Sequence, residues 1–320
     1  MKKIIIKGTT LEASAVIYGC MHMGGNWNNE SLSADVIQKA DTAIRTALDN
    51  DINFFDLADL YCWGKSEEVM GVFLKHNFSQ RDKMIIQSKC GAGRANQSDY
   101  ERKDFFGPRL NANDIKKSVE GSLGRLGIDC LDILLLHVSD THAHPEEIAT
   151  ILDELHQKGM VRHFGVSNHN RHQMELLQKY SSQKLILNQL PINLMDVGLL
   201  DSNPAGTVEY CQMNDIFIQA FPALCCGFIL GRERKKWPNE AAKLRVNNVH
   251  NIITRIAEEQ NVPAEAICIA WLLDHPAIHQ ALTGTLTPQR IINACQADKV
   301  TLSKNQWYEL FFAAKEIEKE

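Results

Sequence analysis

Four side chains suited to moving a proton stand at the ends of short apolar runs: Asp56, Tyr61, Lys89 and His137. Asp56 closes Asn53-Phe-Phe-Asp56, Lys89 follows Met84–Ser88, and His137 follows Leu131–Leu136. Tyr61 lies five positions beyond Asp56, in the loop Leu-Ala-Asp-Leu-Tyr. A phenol, with an ordinary pKa near ~10, exchanges its proton poorly at neutral pH. A neighbouring Lys89 ammonium favours the phenolate and is expected to pull that value down, while Asp56 holds the lysine through an ion pair. His137 is placed to hydrogen-bond and orient a substrate oxygen. Such a set suits proton delivery to a carbonyl oxygen as negative charge develops on it. No nucleophile–base pair accompanies it, so hydrolysis is the less natural chemistry. Proton delivery alone reduces nothing, and a hydride donor is implied. Taken singly, each residue has a plainer role: a strand-end acid forms turns, and a lone strand-end histidine is a hydrogen-bonded core residue. Only convergence on one place makes them a site.

Convergence depends on the elements that carry them. Lys3–Lys7 and Leu11–Ala15, flanking Gly8, read as a small hairpin. Ala15–Gly19 is a first core strand, and a helix from Ala34 places Val36, Ile37, Ala40, Ile44, Ala47 and Leu48 on one face. The strand Asn53–Asp56 leads to a helix over Ser66–Leu74, opened by a capping serine and two first-turn acids. After Met84–Ser88, Asn113 or Asp114 is expected to cap a helix that buries Ile115, Val119, Leu123 and Leu126. Then follow the strand Leu131–Leu136, the helix Pro145–Gln157 stopped by Gly159, the strand Val161–Val166 and the helix His172–Tyr180. Leu185–Asn188, Ile216–Ala220 and Ala281–Thr283 complete the strands. Helices are expected at Val246–Gln260, Ala264–Leu273, Gln289–Gln296 and, outside the repeat, Ser303–Lys315.

Strand and helix thus alternate about eight times, at roughly 30 residues per unit. Strands without a period of two are buried on both faces, as in a parallel sheet. We therefore expect one α/β domain over residues 1–320, a (β/α)8 TIM barrel with an N-terminal hairpin and a C-terminal extra helix. A doubly wound open sheet is the alternative, but no G-x-G-x-x-G follows the first strand. In a barrel, the C-terminal ends of all strands meet on one rim. That rim would bring together Asp56, Tyr61, Lys89, His137, Ser167, Asn168 and Gln189.

Composition limits the partners. The 320 residues are 44% hydrophobic, with no apolar run long enough to cross a bilayer, which points away from a membrane protein. A formal charge of −5 without a basic stripe points away from nucleic acid. Nine scattered cysteines suggest a reducing cytoplasm, and the apolar stretch Ile4-Ile-Ile6 is too short for a signal peptide. His142-Ala-His144 sits in a polar loop without an obvious third ligand, so no metal is expected.

These motifs, in order, resemble the aldo-keto reductase family, and most closely its bacterial predicted oxidoreductases. The resembling segments are Asn53-Phe-Phe-Asp-Leu-Ala-Asp-Leu-Tyr61, Gln87-Ser-Lys-Cys-Gly91, Leu131-Asp-Ile-Leu-Leu-Leu-His137, Gly165-Val-Ser-Asn-His169, Asn188-Gln-Leu190 and Gly284-Thr-Leu-Thr-Pro-Gln-Arg290. The resemblance implies an NADPH-binding barrel that reduces a small-molecule aldehyde or ketone, with Asp56, Tyr61, Lys89 and His137 catalytic and Tyr61 the general acid. It implies that Ser167, Asn168 and Gln189 hold the nicotinamide carboxamide and that Phe221 stacks on the ring. Leu224 and Cys226 fall near the pyrophosphate, and Gly284, Thr285, Arg290 and Asn293 at the adenosine end. Arg290 suits a 2′-phosphate, because a guanidinium pairs well with phosphate oxygens. In the first loop Met21 and His22 fall on the cofactor side. Met23 and Trp27, with Trp63 after the tyrosine, are expected to give the substrate pocket an apolar wall.

The sequence departs from the family pattern in places. Leu286 stands where many relatives carry a basic residue, and Ala294 where many carry asparagine. One fewer cation near the ribose weakens the preference for NADP, so NADPH is the expected cofactor and NAD the alternative. Val138 and Pro191 replace an arginine and an often acidic residue at the rim. Cys62 stands where glycine is usual, and Cys90 follows Lys89. Both are read as small buried residues, indifferent to alkylation. A nucleotide-binding regulatory or scaffold protein with little turnover is the rival reading.

Overall fold

A computed structural model of the protein describes residues 1–92, 108–201, 206–233 and 240–315. Two short antiparallel strands, β1 (Lys3–Ile5) and β2 (Glu12–Ser14), form the expected hairpin, with Lys3 opposite Ser14. Eight parallel strands then close into a barrel: β3 (Val16–Gly19), β4 (Phe54–Asp56), β5 (Ile85–Cys90), β6 (Leu131–Leu136), β7 (Val161–Ser167), β8 (Leu185–Pro191), β9 (Phe217–Phe221) and β10 (Ile278–Thr283). They neighbour one another in chain order, and pairing of β10 with β3 closes the ring. The fold is the (β/α)8 barrel that the strand–helix alternation predicts.

The outer layer holds α1 (Ala34–Asp49), α2 (Lys65–His76), α3 (Ala112–Leu126), α4 (Pro145–Gln157), α5 (Arg171–Tyr180), α6 (Thr207–Met213), α7 (Glu240–Gln260), α8 (Ala264–Leu273), α9 (Pro288–Cys295) and α10 (Lys304–Lys315). The main apolar core lies between this layer and the barrel wall. A smaller cluster fills the barrel where the strands begin; there Ile6 and Ala13 of the hairpin segment meet Ile17, Phe54, Ile133 and Phe217. The extra helix α10 is fixed to α8 by two stacked indoles, Trp271 and Trp307, 5.1 Å apart. Each donates its Nε1–H to the other's backbone carbonyl, at 3.1 and 3.0 Å.

Several local expectations change. The helix expected to begin at Asn113 or Asp114 is capped by Asn111, whose side chain accepts from the Asp114 N–H. Asp114 is thereby a first-turn acid, favoured by the helix dipole. Ser66 does not cap α2, which starts at Lys65 after left-handed Gly64. Its buried hydroxyl instead accepts from the Gly24 N–H at 3.1 Å and holds the first loop. Helix α6 was not expected: two turns of mixed polarity after Gly206 give too little periodicity to read. Helix α7 begins six residues before Val246, at Glu240, through Glu-Ala-Ala-Lys-Leu-Arg, which forms helix by propensity while burying only Ala242.

Candidate active site

Lys89 lies within β5 rather than beyond its end, and all six residues of that strand are buried. Side chains alternate along a strand. Ser88 therefore faces outward, donating to Glu67 of α2 at 2.6 Å, while Gln87 and Lys89 face the interior. The Lys89 ammonium, with no solvent exposure, has three N–H donors and three partners. These are Asp56 Oδ2 at 2.7 Å, the Leu57 carbonyl at 2.9 Å and Tyr61 Oη at 2.8 Å. Because the phenol oxygen accepts from Lys89, its own O–H is left to donate elsewhere.

The electrostatics differ from the sequence expectation. Burial pushes the Tyr61 phenol up to about 12; Lys89 opposes that rise and Asp56 adds to it. The ammonium alone does not win, because the phenolate would have to form away from water and near a carboxylate. Burial would also lower Lys89, but Asp56 and Tyr61 outweigh it, so the lysine stays protonated. The His137 ring sits edge-on to Tyr61, with centroids 5.9 Å apart. Burial, with a contribution from Lys89, depresses this histidine to about 3, so it is a neutral imidazole. Its Nδ1 is buried without a hydrogen-bond partner among the described residues.

The loop that presents Tyr61 is held on two sides. Cys62, Trp63 and Gly64 take left-handed φ values of 46°, 62° and 87° in succession, a backbone that costs energy for the first two. Asp59, to which the sequence assigned no role, donates its N–H to the Lys89 carbonyl at 3.1 Å and accepts from the Ser118 hydroxyl of α3. Cys62 Sγ lies 3.1 Å from the carbonyls of both Met21 and Gly25, which joins this loop to the first one. Cys62 and Cys90 are fully buried.

The remaining sequence-selected residues divide. Ser167 Oγ donates to the Gln189 carbonyl at 3.1 Å, and exposed, left-handed Asn168 donates from Nδ2 to the His137 carbonyl at 3.0 Å, tying three strand ends together. Gln189 turns both donors inward, to Asp56 Oδ1 and Gln219 Oε1, each at 3.0 Å, rather than presenting them at the mouth. Met21 and Trp27 are exposed, 41% and 38%, His22 is exposed as well, and Trp63 is half-buried. Met23 is only 1% exposed and packs in the core, which removes it from an accessible pocket wall. A methionine among glycines and aromatics reads equally as core or wall, and only burial distinguishes the two.

The other residues expected at the cofactor lie at and beyond the ends of β9 and β10. Phe221 is half-buried at the end of β9, and Leu224, also half-buried, leads into a turn where Cys225, Cys226 and Gly227 have φ of 49°, 54° and 85°. Of these three N–H groups, those of Cys225 and Gly227 already donate to the Pro222 and Leu224 carbonyls, at 2.8 and 2.7 Å, so the turn is not an open nest of amides. Gly284 is exposed and approaches β3 closely: a Cβ there would stand 3.1 Å from the Gly19 carbonyl. The neighbouring Thr285 carbonyl is fixed by the Tyr18 hydroxyl at 2.9 Å. Arg290, in the first turn of α9, is exposed and makes no ion pair among the described residues; Asn293, one turn on, accepts from Gln289 at 2.9 Å.

A model of the Aldo/keto reductase family matches residues 15–311. The chain is 32% identical over 308 residues to the 6-dehydroglucose reductase of Agrobacterium fabrum, covering 95% of each protein. It is 28% identical over 305 residues, again 95% of each, to the uncharacterized oxidoreductase YcsN of Bacillus subtilis. Among solved structures, the glycerol dehydrogenase of Gluconobacter oxydans superposes with a TM-score of 0.82 at 24% identity, covering 97% of this chain and 94% of that one.

Proposed function

Because the chain belongs to the Aldo/keto reductase family, we propose that it reduces the carbonyl of a small aldehyde or ketone to an alcohol, using NADPH. The observation that carries this reading is the Lys89 ammonium saturated by Asp56, Leu57 and Tyr61, which leaves the phenol O–H as the donor. When bound, the nicotinamide supplies the hydride to the carbonyl carbon.

The chain's own residues then manage the oxygen. Tyr61, protonated at any neutral pH, gives its proton to that oxygen as charge develops. Lys89 donates to the phenolate left behind, so the new negative charge forms 2.8 Å from a fixed positive one. Asp56 keeps the ammonium oriented, and His137, being neutral, offers an N–H to the substrate oxygen without competing as an acid. Ser167 and Asn168 are suited to orient a carboxamide, and Gln189 has only its Oε1 to offer there. The turn at Leu224 and Cys226 suits a pyrophosphate, while Gly284, Thr285, Arg290 and Asn293 suit an adenosine 2′-phosphate. With Leu286 offering no second cation, NADH remains a working substitute.

The test is NADPH binding by cofactor fluorescence, and turnover by cofactor absorbance, over a panel of aldehydes that includes 6-dehydroglucose. Tyr61→Phe should keep binding and lower kcat by about 10²-fold or more, the usual worth of a positioned general acid. Undiminished turnover in that variant removes Tyr61 as the donor. Absence of any NADPH or NADH binding overturns the reading altogether.

A further inference from the structure

The interior of a parallel barrel is ordinarily packed with branched apolar side chains. Here four strands each place a glutamine inside it. Gln87, Gln219 and Gln280 have no solvent exposure, and Gln189 has 2%. Neighbouring strands hold them level: Asp56 pairs with Gln87, Gln189 with Gln219, and Gln219 with Gln280.

Their hydrogen bonds form one directed network. Gln280 Nε2 donates to the Ser14 carbonyl at 2.8 Å, and its Oε1 accepts from Gln219 Nε2 at 3.0 Å. Gln219 Oε1 accepts from both Gln87 Nε2 and Gln189 Nε2, each at 3.0 Å. Those same two nitrogens donate their second hydrogens to Asp56 Oδ1, at 2.5 and 3.0 Å. Both ends of the network can only accept, a backbone carbonyl at one and a carboxylate at the other. Either end alone therefore dictates which way every amide is turned, and the two ends dictate the same answer. No amide can flip without leaving buried donors or acceptors unpaired, at a cost of about 1–3 kcal/mol for each.

We propose that Gln87 and Gln219 are positioning residues for proton delivery: the amide network clamps Oδ1 of Asp56 so that Oδ2 stays on Lys89. The clamp leaves the carboxylate one rotamer, and that rotamer sets the ammonium that holds Tyr61 Oη. A carboxylate with only Lys89 to bind would be free to turn about its own axis. The network also joins the catalytic end of the barrel to the hairpin end, since Ser14 closes β2. The chemical consequence rests on the carbonyl reduction proposed above; the geometric one does not.

The test uses the full chain carrying Gln87→Leu or Gln219→Leu, with Gln219→Met as a substitute if an apolar branched side chain blocks folding. One arm needs no cofactor and follows the ¹⁵N resonance of Lys89 Nζ against pH. The Lys89 ammonium should lose its proton at lower pH in the variants than in the wild type; an unchanged titration in a folded variant overturns the proposal. The second arm is kinetic. Each variant should lower kcat about tenfold while NADPH affinity and KM stay within about threefold. Combined with Tyr61→Phe, the same substitution should cost nothing further, because both act through one group. Losses that multiply in the double variant overturn the proposal in favour of simple packing. A shifted Lys89 titration in a protein that reduces no carbonyl upholds the clamp and removes the reductase reading instead.

Discussion

Which way protons move at Tyr61 follows from a contest between burial and charge. Lys89 is 2.8 Å from the phenol oxygen, yet the pKa is pushed up to about 12, since burial disfavours the phenolate and Asp56 cancels part of the ammonium's field. The reduction proposed above needs the acid form, which predominates at pH well below that value. The kcat/KM for carbonyl reduction should accordingly stay level between about pH 7 and 10, while oxidation of the alcohol, which needs the phenolate, rises with pH. A reduction rate that falls through about pH 8 would show that cofactor or substrate reverses the balance in favour of Lys89.

At the scale of elements, the tyrosine loop depends on how closely its helices approach. Gly71 of α2 lies against the end of α3, where an added Cβ would stand 2.1 Å from the Arg125 carbonyl. Backbone oxygen cannot move aside as a flexible side chain does, so Gly71→Ala must separate the two helices. That helix pair also carries the buried Glu67, which binds Arg125 Nε at 2.8 Å and Ser88, and the Ser118 hydroxyl that holds Asp59. We expect Gly71→Ala to cost about 2 kcal/mol or more, read as a fall in the chemical denaturation midpoint. Gly124→Ala, where nothing lies within 4 Å, should cost little and serves as the control.

For the molecule as a whole, acid is the vulnerable direction. His137, His163, His169, His275 and His279 are all depressed, chiefly by burial, His137 to about 3. Two of them are fixed as neutral rings by backbone donors: Ala277 N–H to His275 Nδ1 and Ile218 N–H to His279 Nδ1, both at 3.2 Å. The unfolded chain binds protons at these rings near ~6.5, whereas the folded chain resists until lower pH, His137 until about 3. Their stabilisation is therefore complete above about pH 6.5 and is lost as pH falls toward the folded values. Asp59 acts with the opposite sign. Partly exposed overall but with its carboxyl packed on Ser118, it is raised to about 7 by burial, so ionising it costs stability as pH rises from ~4 toward 7. Denaturation midpoints should fall between about pH 7 and 5. In Asp59→Asn the fall should be steeper, because the opposing term is gone; an unchanged slope would show that Asp59 is ionised in the folded protein.

The strand–helix alternation, the closed barrel and the meeting of Asp56, Tyr61 and Lys89 were legible from the sequence. Strand residues alternate on a fixed period, and a barrel forces all strand ends onto one rim. The repeat failed where local pattern is weak, as at α6 and the first turns of α7, or where a polar side chain had two possible partners, as at Ser66. Gln87 and Gln219 left a signal, one glutamine inside each of two apolar runs, whereas Gln280 fell just before the expected Ala281–Thr283 strand, which in the structure starts at Ile278; a single polar residue in a strand does not say which neighbours it meets. Those meetings, the burial of Met23 and the inward turn of Gln189 exist only once eight strands are in register. The sequence by itself determined which residues could exchange a proton. Only tertiary structure decided the protonation each holds, because burial and charge at a few ångströms are properties of the closed barrel and of no segment within it.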